Sequence, residues 1–388
     1  NSNTRFPPFL LFSTSHLALF YPPPHPLPTS ARLYLRVYTQ LRSTHTSGRQ
    51  QAGMSEEEGG RKLEIADIPS DCDERPPRGH EEILKAAEDF IEENVAKQRR
   101  IVLVTSGGTT VPLEKNTVRF MDNFSAGTRG ANSVEAFIQE GYAVVFLHRE
   151  TSLFPYTWRF QRPLRHFMRY LSVEEGGEGG EGGGRLVFDS EKMGEETAGD
   201  LMEVVGRYKA AMADNVLFTV DFTSIQDYLF YLKHLCTRVG RVGERGMVYL
   251  AAAVADFFLP YSDMADHKIQ SRAGPLTLTL QQTPKVLGTL RQEWCPNAFV
   301  VSFKLETDET ILIKKATTSL EKYGVDCVVA NLLHTRMDRV ILVEEEGEEK
   351  IDRLEAEGGP YAEVEGLLVN ALANRHSVYI AEAAAAAE

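Results

Sequence analysis

Cysteine is scarce: four residues in a chain of 388. Cys72, Cys236, Cys295 and Cys327 form no CxxC pair. That spacing speaks against a zinc ribbon or a disulfide framework and predicts reduced thiols in a cytoplasmic protein. No stretch approaches the ~20 consecutive apolar residues of a membrane span, so no membrane association is expected. Positive charge is also in deficit. A formal net charge of −13 argues against a protein that grips nucleic-acid phosphates over a broad basic face, while leaving room for a local anion pocket. Acidic residues, in turn, are missing from 1–53, which carries arginine, serine, threonine and many prolines before the first methionine, Met54. Such a stretch suits either translated upstream sequence or an organellar transit peptide, and prolines at 22–24, 26 and 28 break an amphipathic helix across much of it.

Hydrophobic and charged residues make up 43% and 25% of the chain, the balance of a soluble globular domain. Residues 54–80 read as an acidic, flexible lead-in. From Glu81 onward apolar residues recur at helical spacing to about Lys97, and Ile101–Thr105 is a short unalternating apolar run, as in strands of a parallel sheet covered on both faces. A helix over about 127–140 and a strand over 142–147 complete a βαβ unit. Helices are further predicted over 197–212, 224–239, 309–323 and 361–374, with strands over 216–220, 247–253, 298–303 and 327–330. The alternating run Leu276–Leu280 reads as a strand with one wet face, and 339–343 with 350–351 as a terminal hairpin. Residues 174–184, almost wholly glycine and glutamate, form a solvated loop. The alanine-rich end, 381–388, reads as frayed. Strands alternating with helices predict an α/β domain over 81–380: a Rossmann-like, doubly wound, mostly parallel sheet with a flap or hairpin extension.

In such sheets ligands sit beyond the carboxyl ends of the strands, and four unusual segments fall there. Ser106-Gly107-Gly108-Thr109-Thr110 follows the first strand. It lacks the GxGxxG and GK[ST] patterns of nucleotide loops, so it reads equally as a tight turn or as backbone open to a phosphate. In the segment from Arg119 to Gly130, Ser125 is placed to cap the coming helix. Gly127 and Gly130 permit close approach to the helix's positive end, and Arg119 and Arg129 can supplement it for an anion. The same residues also fit a capped helix with solvated arginines. Ala251-Ala252-Ala253 ends an apolar strand with small side chains and leads to Asp256, a pocket carboxylate or a turn cap. Lys268, in the polar loop His267–Gln270, is either a ligand for triphosphate oxygens or a solvated lysine. Phe303 and Asn331, at two later strand ends, suit base stacking and base-edge reading, though Phe303 also suits the core.

Taken together and in order, VTSGGTTVPLE, VRFMDNFSAGTRGANSVEAF, YLAAAVADFFLP, HKIQS, FVVSFKLETD and VVAN resemble the phosphopantothenate–cysteine ligase family in its stand-alone eukaryotic form. The resemblance implies a Rossmann-like homodimer, with each site completed by the neighbouring subunit. It implies nucleotide contacts at Gly107, Ser125, Gly127, Gly130, Phe303 and Asn331. The phosphopantothenate pocket would be lined by Asn123, Ala252, Ala253 and Asp256, with Arg119 reaching across from the other subunit. Asn123 and Lys268 would be catalytic, ATP rather than CTP would be the co-substrate, and Mg2+ would accompany it. The expected reaction is amide formation through an acyl adenylate, on the route to coenzyme A. The competing readings are a catalytically silent nucleotide-binding homologue and a Rossmann oxidoreductase. The second needs the fingerprint that the first loop lacks.

Overall fold

The computed structural model describes Cys72 and residues 75–158, 170–174, 185–189, 195–271, 274–352 and 363–387. The acid-free segment 1–53 and nearly all of the acidic lead-in lie outside these residues, as do most of the glycine–glutamate loop and Glu388.

The chain order is α1 (His80–Ala96), β1 (Arg100–Ser106), β2 (Thr110–Pro112), β3 (Phe120–Asp122), α2 (Thr128–Gln139), β4 (Tyr142–Arg149), β5 (Leu171–Glu174), β6 (Arg185–Phe188), α3 (Glu195–Ala213) and β7 (Leu217–Phe222). It continues with α4 (Ile225–Gly240), β8 (Gly246–Leu250), β9 (Phe257–Phe258), β10 (Gln281–Gln282), β11 (Phe299–Glu306), α5 (Glu309–Tyr323), β12 (Cys327–Leu332), β13 (Arg339–Glu344), β14 (Gly347–Asp352) and α6 (Val364–Ala387). Eight strands form one sheet in the order β14-β13-β12-β11-β8-β1-β4-β7. The six from β12 to β7 run parallel, and β13 and β14 add an antiparallel edge. Counting outward from β1, the chain first builds β4 and β7 on one side, then β8, β11 and β12 on the other. The order therefore reverses between β1 and β8, the switch point at which sheets of this kind bind their ligands.

Both faces are covered, which is why β1 and β4 are apolar without alternation. One core layer joins Leu103, Val145 and Val300 to residues of α1, α4 and α5. The other joins Val104, Phe146 and Val301 to residues of α2, α3 and α6. Helix starts follow local chemistry. Asp227 N donates to Ser224 Oγ (3.1 Å) and Ser224 N donates to the Asp227 carboxylate (2.9 Å), a reciprocal cap for α4. Thr310 N donates to Asp308 at 2.9 Å to start α5, and Gly324, at φ 65°, ends it. The four cysteines are all buried.

Four local expectations are corrected. Ser125 does not cap α2: the helix begins after Gly127, whose φ of 83° turns the chain sharply enough to leave Ser125 outside it. The strand expected over 247–253 ends at Leu250, because the next residues bond to the loop after β1 instead of to β11. Exposure alternates only over 277–280, with Leu276 exposed as well, and of this stretch only the following Gln281–Gln282 pairs, with Phe257–Phe258. The alanine-rich end continues α6 as regular helix to Ala387, as alanine propensity favours.

One core contact carries a pH signature. His376 of α6 is fully buried, and its Nε2 donates to Glu244 O (2.8 Å) while its Nδ1 accepts from Tyr142 OH (2.9 Å). Burial pushes the imidazole down to about 4. Between pH 6.5 and 4 the unfolded chain thus binds more protons than the folded one, and stability falls as the pH falls through that window. At 1.36 kcal/mol per unit the loss is about 3 kcal/mol. Urea unfolding of the wild type and His376→Gln at pH 7 and pH 4 should show that extra loss in the wild type alone; equal slopes would contradict the assignment.

Candidate active site

The crevice between β1 and β8 is closed by a hydrogen-bonded seam between two loops. Ala253 N donates to Gly107 O (2.8 Å), and Thr109 N donates back to Ala253 O (3.1 Å). Two threonine hydroxyls extend the seam: Ala252 N donates to Thr105 Oγ1 (3.1 Å) and Ala255 N to Thr109 Oγ1 (2.9 Å). Asn123 joins from the β2–β3 hairpin. Its backbone N–H donates to Thr109 O (3.3 Å) and its Nδ2 to Ala253 O (3.2 Å). A carbonyl oxygen only accepts, which fixes the orientation of the Asn123 amide and leaves the second Nδ2 hydrogen for a ligand. Gly107, Asn123, Ala252 and Ala253 are thus brought together.

The glycines of the α2 entry allow contact within the chain. A side chain at Gly130 would land on Ser106 Oγ and Cβ, and one at Gly127 would meet Ser152 Cβ at 2.9 Å. Ser106 Oγ donates to Gly127 O at 3.1 Å. The amino end of α2 is therefore drawn onto the tip of β1, with its unpaired N–H groups facing the crevice side of the sheet. Gly108 presses on the Asn123 carbonyl, and Gly107, at φ 84°, would carry a Cβ 2.7 Å from Arg149 Cβ. Ser125 is half-buried, while Phe124 beside it is 100% exposed.

Charge on the hairpin is arranged in pairs. Glu114 is fully buried. Its carboxylate accepts from Arg119 Nη1 (2.6 Å), Arg119 N (2.9 Å) and Ile269 N (3.3 Å). Burial pulls this carboxyl upward, but the backbone donors and the Arg119 guanidinium outweigh it and hold the group below its ordinary value. Lys268, next to Ile269, is exposed, and its ammonium has no partner among the described residues. Asp256 is exposed and paired with Lys285 at 2.6 Å, so it faces solvent at the rim and is not hydrogen-bonded into the Asn123 cluster. Asp122 pairs with Arg149 at the tip of β4 (2.6 Å).

Across the switch point, Phe303 packs edge-on against Tyr249 with ring centres 4.9 Å apart. Asn331, at the end of β12, is 7% exposed and its Oδ1 has no partner among the described residues. A buried orphan acceptor at a strand's carboxyl end fits a base-edge donor. Arg129 is not a free anion ligand: it pairs with buried Glu365 (2.9 Å) and donates to Arg336 O. Burial raises the Glu365 carboxyl while Arg129 opposes that shift. The site thus has the parts to hold a nucleotide. For a metal it offers less: among the described residues no three His, Cys, Asp or Glu side chains converge as a ligand set.

Comparison with known proteins meets this geometry at several points. The family model for the DNA/pantothenate metabolism flavoprotein C-terminal domain matches residues 233–357. Phosphopantothenate–cysteine ligase of Homo sapiens is 42% identical over 287 residues, covering 74% of this chain and 89% of its own. The chain belongs to the phosphopantothenate–cysteine ligase family. Phosphopantothenate–cysteine ligase 1 of Arabidopsis thaliana is also 42% identical, over 81% of this chain and 96% of the relative. A solved histidine-to-alanine mutant of Cab2, in complex with phosphopantothenate-cysteine, superposes with a TM-score of 0.69 at 38% identity, covering 79% of this chain and 96% of the other.

Sequence reading missed several residues of this ligase-family site. Glu114 and Glu365 were hidden because a buried carboxylate is recognisable only with its arginine, and those partners lie 5 and 236 residues away. The SGG doublet did signal close approach, yet the surface approached (Asn123, Arg149, Ser152) is set by tertiary packing. Gly130→Ala is expected to lose about 1–3 kcal/mol through overpacking and to weaken nucleotide binding. Ser106→Gly in the same chain should recover part of both. Thermal unfolding and calorimetric nucleotide titration of the single and double variants check this, and no change in Gly130→Ala would contradict the packing account.

Proposed function

We propose that this chain joins phosphopantothenate to cysteine by way of an acyl adenylate formed from ATP, in the cytoplasm and as a homodimer. The observation that carries the reading is the junction of Asn123 with the Gly107–Thr109 and Ala252–Ala255 seam at the topological switch point. It sets an amide donor beside a glycine-rich backbone, where a phosphate and an acyl group can meet.

A carboxylate is a poor acylating agent because its leaving group would be oxide. In the first step a carboxylate oxygen of phosphopantothenate bonds to the α-phosphorus of ATP as the bond to pyrophosphate breaks. Lys268, unpaired on its loop, offsets the charge growing on the departing pyrophosphate. The amino end of α2, with Ser125, Gly127 and Gly130, receives phosphate oxygens. Phe303 and Asn331 take the base. The cysteine amine then bonds to the acyl carbon, the bond to AMP breaks, and the amine's proton leaves to solvent. The free Nδ2 hydrogen of Asn123 is the donor for the acyl oxygen. Mg2+ would enter on the triphosphate, with phosphate and water as its ligands, since no protein ligand set converges among the described residues.

Two features support a shared dimeric site. Phe120 and Phe124 on the hairpin are exposed apolar surface of the kind a partner covers. Arg119 spends Nη1 on Glu114 and Ile269 O, leaving the rest of its guanidinium free of partners among the described residues. That free edge suits an anion bound in the neighbouring subunit. ATP is favoured over CTP by the Phe303-Lys304-Leu305-Glu306 form of the β11 end.

Pyrophosphate release should require ATP and phosphopantothenate, and AMP release should require cysteine as well, with CTP the poorer nucleotide. Asn123→Ala is expected to slow amide formation on the order of a hundredfold, ~3 kcal/mol, while pyrophosphate release stays within a few-fold. Lys268→Gln should instead depress pyrophosphate release. Rapid-quench single turnovers separate the steps. Full turnover in Asn123→Ala, or unaltered pyrophosphate release in Lys268→Gln, would contradict the roles given.

A further inference from the structure

The loop bearing Lys268 touches the β2–β3 hairpin through one buried group, and that group is the carboxylate of Glu114. Its Oε1 accepts from both sides at once: from Arg119 Nη1 on the hairpin and from Ile269 N on the lysine loop. Its Oε2 accepts from Arg119 N. Arg119 Nη1 also donates to Ile269 O (3.2 Å), closing a ring of three residues, two of them adjacent to proposed site residues or in the site. Outside this ring the two segments meet at the surface: Lys115 N donates to Ala265 O (2.9 Å), Asn116 Nδ2 to Asp266 O (2.7 Å), and Lys115 pairs with the exposed Asp266 (2.7 Å).

Burying a carboxylate in a small hairpin is a poor way to gain stability, because desolvation offsets most of the attraction to arginine. It is an effective way to fix geometry, since each donor must meet a defined oxygen. The group is held ionised at neutral pH by the donors described above.

We propose that Glu114 is a positioning residue for the adenylation step: its buried carboxylate fixes Arg119 and the Lys268 loop relative to each other, so that substrate-anion binding and phosphate charge compensation are set by one ion pair. The inference rests on the proposed acyl-adenylate reaction. Glu114 itself touches neither substrate; it acts through Arg119 and Ile269. Replacing it by glutamine keeps the shape, removes the charge, and turns one acceptor into a donor that faces Arg119 N or its guanidinium.

Glu114→Gln in the full chain is expected to lower the rate of ATP-dependent pyrophosphate release on the order of tenfold to a hundredfold, the scale of a misplacement of about 1 Å. The KM for phosphopantothenate should rise several-fold. The KM for cysteine and the calorimetric Kd for ATP should stay within about twofold, because Asn331 and the α2 entry lie outside the ring. Glu114→Asp, which keeps the charge but retracts it by one methylene, should show the same pattern more weakly. Asp266→Asn, at the exposed outer pair, should leave all four quantities within about twofold, as exposed pairs contribute little. Unaltered pyrophosphate release in Glu114→Gln would overturn the proposal. So would an equal fall in every parameter that tracks the loss of folded protein, the signature of a purely structural role. A wild type with no ATP-dependent pyrophosphate release would refute the underlying reaction instead, so the two failures are distinguishable.

Discussion

The loops after β1 and β8 bond to each other in both directions, Ala253 N to Gly107 O and Thr109 N to Ala253 O, and the rest of the site is hung from this seam. Parallel strands β1 and β8 leave their last backbone groups without ladder partners as the chain turns away to opposite sides of the sheet. Those groups would be unsatisfied unless they found one another or solvent. By pairing, they turn the switch-point crevice into a fixed floor. Glycine is required on the β1 side of the floor, since a Cβ at Gly107 would run into Arg149 and Ser152 and one at Gly108 into the Asn123 carbonyl. Asn123 donates twice into the same floor, so its position depends on the seam rather than on its own loop.

Around this neutral floor the charged groups are held by pairs that are buried on one side. Glu114 holds Arg119, and Glu365 holds Arg129. Neither pair is strong evidence of stability, because the carboxylates are desolvated. What they contribute is placement. The first joins the hairpin to the Lys268 loop. The second joins α2 to the start of α6 and, through Arg336 O, to the loop that follows Asn331. The amino end of α2 and the end of β12 are thereby braced against each other. Lys268 and Phe124 are exposed and without partners among the described residues.

The strands of the central sheet were legible because buried parallel strands are apolar runs, as in Ile101–Thr105; their order was not, since it depends on which strands pair in the folded chain. Helix α4 was legible to within a residue because Ser224 and Asp227 are local neighbours. The β2–β3 hairpin was not, since Thr110–Pro112 and Phe120–Asp122 are three residues each, too short for periodicity to register. The Leu276–Leu280 alternation misled for the opposite reason: period two describes which side chains face in, not whether a neighbouring strand supplies hydrogen bonds. Ser125 misled as a cap because Gly127 offers a left-handed turn that starts the helix later. In the site, residues adjacent in sequence to the glycines were found, while Glu114, Arg149 and Glu365 depend on partners that only folding brings near.

Amide hydrogen exchange of the full chain, alone and with ATP and phosphopantothenate, tests most directly whether the crevice at the β1–β8 switch point is where the two substrates meet. Added protection should concentrate in 106–110, 123–131 and 251–256, with a smaller effect around 267–269. Protection confined to the opposite edge of the sheet, where β1 begins at Arg100 and β8 at Gly246, or none at all in the presence of both ligands, would contradict the account.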